Sequence, residues 1–172
     1  MDFVRTAQEG LPLLPGIRLM KPEQLHVTLA FMGEVGEAEA AAAREVVETV
    51  PRGMGGEVLL GGYVFFPSAR KARVIALSIS DSEGIFSALY EHVMRGLETA
   101  GVMQREKRPF RAHLTVARLR LPGHVQPMSE SGQAPFAVES VCLYESELRR
   151  EGAAYTVRAR TVFTREAGQE KG

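Results

Sequence analysis

Leu25-His26-Val27-Thr28-Leu29-Ala30 is echoed 87 residues later by Ala112-His113-Leu114-Thr115-Val116-Ala117. In both stretches an apolar residue, His, an apolar residue, Thr, an apolar residue and Ala follow one another. Side chains alternate faces along a strand, so His26, Thr28 and Ala30 share one face and Leu25, Val27, Leu29 and Phe31 the other. The same parity sets His113, Thr115 and Ala117 against Ala112, Leu114 and Val116. Two strands are predicted, each burying an apolar face and presenting an imidazole beside a hydroxyl. Only four histidines and eight threonines occur among the 172 residues. Coincidence would place Thr two positions after two of those histidines about one time in a hundred.

Working outward, Asp2–Gln8 is predicted to be a short helix, broken by Gly10, Pro12, Pro15 and Gly16. Ile17–Met20 and Leu25–Phe31 are expected strands. Alanine-rich Ala38–Val50 is a helix stopped by Pro51. Glu57–Phe66 and Arg73–Ser80 carry β-branched and aromatic residues and are read as strands. Ser80 with Glu83 looks like a capping box for a second helix, along which Ile85, Leu89, Val93 and Leu97 recur and which Gly101 ends. Ala112–Arg118, Phe136–Tyr144 and Tyr155–Phe163 complete the strands, and Arg165–Gly172 is a polar tail. Neighbouring strands mostly lack an intervening helix, which favours antiparallel sheets with helices outside them, an α+β fold, over a doubly wound parallel sheet.

The bulk composition narrows the function. Mass is 18.8 kDa, enough for one domain or two joined lobes. Twenty-one basic residues balance twenty-one acidic ones, which excludes a generally cationic nucleic-acid coat but leaves room for a local basic patch. The single cysteine, Cys142, makes no intramolecular disulfide and points to a reducing, cytoplasmic setting. No apolar run approaches the roughly 20 residues that cross a bilayer, and the start lacks the apolar core of a signal peptide. A monomer without membrane partners is expected.

Two imidazoles and two hydroxyls suit phosphodiester hydrolysis. One imidazole takes a proton from water while the other protonates the leaving oxygen, and groups titrating near ~6.5 hold those opposite states at neutral pH. The threonine hydroxyls donate to non-bridging phosphate oxygens, where charge builds in the transition state. A strained 2′,3′-cyclic phosphate is reactive enough to lessen the need for a metal. No carboxylate or thiol stands at ligand spacing from either histidine, so neither metal nor cofactor is expected.

These residues resemble the two-histidine phosphoesterase superfamily, marked by two His-x-Thr-x motifs, and more closely the bacterial and archaeal RNA 2′,3′-cyclic phosphodiesterases, or 2′-5′ RNA ligase family. Lys21-Pro22-Glu23-Gln24-Leu25-His26-Val27-Thr28-Leu29, Phe31-Met32-Gly33-Glu34, Phe66-Pro67-Ser68, Arg108-Pro109-Phe110-Arg111, Leu143-Tyr144-Glu145-Ser146-Glu147-Leu148 and Tyr155-Thr156-Val157 carry the likeness, which runs from about Ile17 to Phe163. The resemblance implies a single domain over 1–172 of two pseudo-symmetric lobes, each an antiparallel sheet with outer helices, and an active cleft between them. It implies opening of RNA terminal 2′,3′-cyclic phosphates, including those of tRNA fragments, to 2′-phosphates. His26 is then the proton donor and His113 the proton acceptor. Members usually open with an apolar strand and most of a helix before the segment matching Ile17, so the family's first strand is expected to be missing before Met1. Reversible 2′-5′ ligation, a small cyclic nucleotide as substrate, and a non-catalytic RNA- or nucleotide-binding module are the alternatives.

Arg105, Lys107, Arg108, Arg111, Arg118 and Arg120 surround the second motif against Glu106 alone, and are candidates for RNA-backbone contact. Plain parity turns Arg118 away from His113 unless a bulge intervenes. Arg70, Lys71 and Arg73 are a weaker basic group. Phe110 is a candidate for base stacking, with Arg108, Arg111 and Arg118 as substrate-binding partners; Phe31, Phe66 and Tyr144 are expected in the core. Gly53–Gly56 and Gly61-Gly62 lack the Lys-Ser/Thr of a phosphate loop. His92 and His124 are read as surface or structural, and Cys142 as a buried strand residue.

Overall fold

Strand β4 (His113–Gly123) carries the second motif and sits inside a five-stranded sheet ordered β1-β4-β3-β2-β5, where β1 is Ile17–Leu19, β2 Gly56–Phe66, β3 Ala72–Ser80 and β5 Ala134–Val138. A second sheet pairs β6 (Ser140–Arg149) with β7 (Gly152–Val162). Helices are α1 (Asp2–Glu9), α2 (Glu37–Glu48) and α3 (Ile85–Thr99). The computed structural model describes residues 2–127, 132–149 and 152–164. The pairings β1–β4, β3–β4, β2–β3 and β6–β7 are antiparallel, so the α+β reading stands. No helix among the described residues is long and apolar enough to cross a membrane.

The chain gathers into two units, each made of three separate segments. The first contains Met1–Thr28, Val58–Asp81 and Arg111–Phe136; the second contains Leu29–Glu57, Ser82–Phe110 and the chain from Ala137. Both histidine motifs' His and Thr residues lie in the first unit. Its core is Ile75, Leu77, Leu114, Val116 and Ala117, all with no exposed surface, closed by Val4, Ala7 and Leu11 from the α1 region. The 4-7-11 spacing lines one side of a helix, and each fully buried Leu or Ile contributes about 1.5–3 kcal/mol. The Tyr63 hydroxyl, carried on that core face, donates to the Ala7 carbonyl at 2.5 Å and ties the helix to β2.

In the second unit α2 buries Ala43, Val46 and Val47, and α3 buries Ile85, Leu89, Val93 and Leu97 as their spacing predicts. Gly96 lets the two helices approach, since a Cβ there would come within 2.8 Å of a Val46 methyl. Buried Thr161 on β7 donates to the Val47 carbonyl at 2.8 Å. The end of α3 is as expected: Gly101 is left-handed (φ 71°), and Val102 N–H reaches back to the Leu97 carbonyl at 2.9 Å.

Several local expectations need correction. Ser80 is the last residue of β3, and left-handed Gly84 (φ 72°) precedes α3 with no side-chain cap, so the Ser80–Glu83 box does not form. Phe136–Tyr144 is two strands, β5 and β6, divided at Glu139. Cys142 is half-buried, its sulfur 3.9 Å from the Ser140 hydroxyl. Arg165–Gly172 lies outside the described residues.

Candidate functional site

The two motifs diverge from one crossing point. β1 pairs with β4 through Leu19 opposite Ala117, and the next residue, Met20, donates its N–H to the Val116 carbonyl at 2.9 Å. From Met20 the chain runs forward six residues to His26; from Val116 the strand runs back three residues to His113. Gln8 on α1 fastens the junction: its side-chain Nε2 donates to the Met20 carbonyl at 2.8 Å and to the Val116 carbonyl at 2.9 Å. Nothing in the sequence distinguished Gln8 from any polar helix residue.

Val116 marks a bulge in β4. Opposite it, Ile75 pairs with Ala117 and the next β3 residue, Ala76, with Thr115. Val116 and Ala117 are consecutively buried, and alternation resumes afterwards with Arg118 exposed, Leu119 buried and Arg120 exposed. The extra residue reverses the parity. Arg118 and Arg120 therefore stand on the same face as His113 and Thr115, which plain alternation denied.

Each imidazole is held in the same way. His26 Nδ1 lies 2.8 Å from the Gln24 carbonyl, and His113 Nδ1 lies 2.8 Å from the Arg111 carbonyl, in both cases two residues back. A carbonyl only accepts, so Nδ1 carries the proton in each ring. The ring of Phe66, expected in the core, instead packs on His113 with centroids 4.7 Å apart. It faces outward because β2 places Tyr63 and Phe65 on the core side and Phe66 on the other.

The expected strand Leu25–Phe31 forms no ladder. Pro22–Gln24 makes a single 3-10 turn after β1, which pairs with β4 only at Ala117–Leu119. Its alternation survives all the same: Leu25 and Val27 pack against the first unit's core, His26 is half-buried and Thr28 exposed. Phe31, beyond the unit's boundary, is 75% exposed rather than in the core. Thr115 is half-buried in the ladder.

The remaining candidates divide. Arg111, two residues before His113, is exposed. Phe110 and Arg108 belong to the second unit, where they line a groove of about 320 Å³ with Tyr90, Glu91, Arg105 and Lys107. Phe110 stacks on Tyr90 at 4.4 Å and 7°. Arg105 is committed to structure: it binds Glu91 at 2.7 Å and Glu98 at 3.4 Å, which hold its guanidinium above the usual range. Tyr144 is partly exposed with its ring edge-on to Tyr155, not in the core.

Comparison with known proteins bears on this arrangement. A family model described as the 2′-5′ RNA ligase superfamily matches residues 14–150. The RNA 2′,3′-cyclic phosphodiesterase of Methanothermobacter thermautotrophicus is 31% identical, covering 90% of this chain and 88% of its own. That of Aeropyrum pernix is 30% identical, covering 87% and 85%. Among solved structures, TT0787 of Thermus thermophilus superposes with a TM-score of 0.79 at 28% identity, over 94% of this chain and 90% of that one. E. coli LigT complexed with 3′-AMP gives 0.76 at 23% identity over 94% and 89%, a likeness of fold. The match across most of its length, joined to the repeated His-x-Thr pattern, makes this chain a member of the 2′-5′ RNA ligase superfamily.

Proposed function

We propose that the protein hydrolyses 2′,3′-cyclic phosphates at RNA ends to 2′-phosphates, without a metal, by paired imidazole catalysis. The observation that carries this reading is the identical tethering of His26 and His113, each with Nδ1 on the carbonyl two residues back. In this reading Nε2 of each ring exchanges the proton, one as base and one as acid. In the reaction His113 Nε2 removes a proton from water as the water oxygen bonds to phosphorus. The bond from phosphorus to the 3′ oxygen breaks, and protonated His26 Nε2 delivers its proton to that oxygen. The product bears a 2′-phosphate and a free 3′-hydroxyl; proton exchange with solvent resets both rings. Thr28 and Thr115 donate to the non-bridging oxygens, and Arg118, brought to the His113 face by the bulge, neutralises the developing charge. Arg108, Arg111 and Phe110 are assigned to the RNA beyond the ring.

The test is incubation of an oligoribonucleotide ending in a 2′,3′-cyclic phosphate with the protein in EDTA. Ring opening to a 2′-phosphate, with a bell-shaped dependence of kcat/KM on pH, is expected. No product, or a 3′-phosphate as product, refutes the reading.

A further inference from the structure

Helix α3 buries Leu89, Val93 and Leu97 and sets Ser87, Tyr90 and Glu91 together on its outward side, at spacings of three and four. The chain returns past that side at 105–110, and Arg105 fixes it there. Its guanidinium reaches Glu91 at 2.7 Å and Glu98, two helical turns further on, at 3.4 Å, while its backbone N–H donates to Glu98 at 3.1 Å. The same guanidinium stands 5.6 Å from the centre of the Tyr90 ring. Held this way, the segment lays Phe110 on Tyr90 with the rings 7° from parallel. The groove of about 320 Å³ that these residues wall lies wholly within the second unit. Two parallel rings at the wall of a groove extend into a third flat ring without repacking. The volume is at the small end of ligand-sized sites, enough for one nucleotide. At the rim, Lys107 and Arg108 are exposed and take part in no ion pair among the described residues, with Glu106 as the one neighbouring acid not engaged by Arg105. A planar ring carrying a phosphate matches both features.

We propose that this groove is a stacking subsite for one base of the RNA substrate, with Tyr90 and Phe110 as its platform and Lys107 beside Arg108 on the adjoining phosphate. The inference rests on the proposed activity for its choice of ligand, and it adds Tyr90 and Lys107 to the residues that meet RNA. Arg105 is a positioning residue here, since its guanidinium is spent on Glu91 and Glu98 in holding Phe110 against the helix. Every base has a flat face, so such a platform binds single-stranded RNA without reading its sequence.

The experiment reads the groove without turnover, using a uridine oligoribonucleotide that ends in a 2′-phosphate. Iodouridine is substituted at each position in turn, and ultraviolet light should crosslink it to wild-type protein at Tyr90 or Phe110, located by mass spectrometry of the peptides. In affinity measurements Phe110→Leu should weaken binding by about tenfold, the worth of one base–aromatic stack, while Phe110→Tyr should keep it. Lys107→Gln should make the dependence of affinity on salt shallower by about 0.7 in log–log slope. Crosslinks that all map outside the groove overturn the subsite, and they do so without any variant having to fold. A Phe110→Leu protein that binds as tightly as wild type, or a Phe110→Tyr protein that loses as much as Phe110→Leu, overturns it too. If wild type leaves a cyclic phosphate closed yet crosslinks in the groove, the proposed activity fails and the subsite stands; ring opening without such a crosslink fails the subsite alone.

Discussion

His113 and His26, given matching tasks in the proposed reaction, stand on unlike supports. His113 opens a strand laddered to β3 along its motif, with Phe66 against its ring and Ser78 across from it. His26 stands on a segment that belongs to no ladder, held by Leu25 and Val27 against the core and, six residues back, by the Met20–Val116 hydrogen bond that Gln8 reinforces. The imidazole tether alone is common to both. The proposed chemistry requires a ring with a fixed tautomer, and a carbonyl two residues back supplies it whether or not a neighbouring strand pairs there.

The comparison breaks first on the histidines themselves. His26→Ala and His113→Ala are each expected to lower kcat on a cyclic-phosphate RNA end by about 10²–10⁴, and the double variant little further, because acid and base act as a unit. If either single variant keeps near-normal turnover while circular dichroism shows a folded chain, the two rings are not partners. The threonines sharpen the contrast in support. Thr115→Val, removing a donor fixed in a ladder, should cost about 10²–10³ in kcat, and Thr28→Val, on the unpaired segment, less. Equal losses would mean that the ladder adds nothing to preorganisation. The smallest effect concerns the junction. Gln8→Leu takes the side-chain donor from the Met20 carbonyl and leaves the Val116 carbonyl with the Met20 N–H alone, which should cost about 1–3 kcal/mol and lower the melting temperature by several degrees. Turnover should fall with it, more through the His26 side, which has no ladder to keep its place. Unchanged melting and activity would show that the Gln8 bonds are idle.

Much of this was legible in the sequence. The period-two pattern of Leu25-His26-Val27-Thr28 correctly sorted inward from outward residues, because burial of Leu25 and Val27 depends only on extended backbone over an apolar core. It did not disclose the missing ladder, since pairing depends on the path the chain takes after β1, and the 3-10 turn at Pro22–Gln24 intervenes before Leu25. The bulge at Val116 was illegible for a related reason: Thr-Val-Ala reads as plain alternation, and only the register against Ile75 and Ala76 exposes the additional residue. Arg118 was consequently assigned to the wrong face unless a bulge intervened. Ser80-x-x-Glu83 satisfied a local rule for helix starts, but β3 extends through Ser80 and the chain turns at Gly84 before a helix begins. Arg105 shows the limit of counting charges, because the carboxylates that engage it, Glu91 and Glu98, lie on a helix well upstream in the chain.

Interleaving of the two units has a consequence for biosynthesis. β1 has one neighbour in its sheet, β4, and β4 emerges from the ribosome about a hundred residues later. At translation speeds of about 5–20 residues per second, the first histidine segment waits on the order of 5–20 s for the strand that anchors it. Neither unit is finished by the first half of the message, so vectorial assembly of one unit before the other is not open to this chain. A stalled or truncated nascent polypeptide would present Leu25, Val27 and the apolar side of β2 to chaperones and to its own copies, which makes slow codons between the two motifs a place where expression yield is decided.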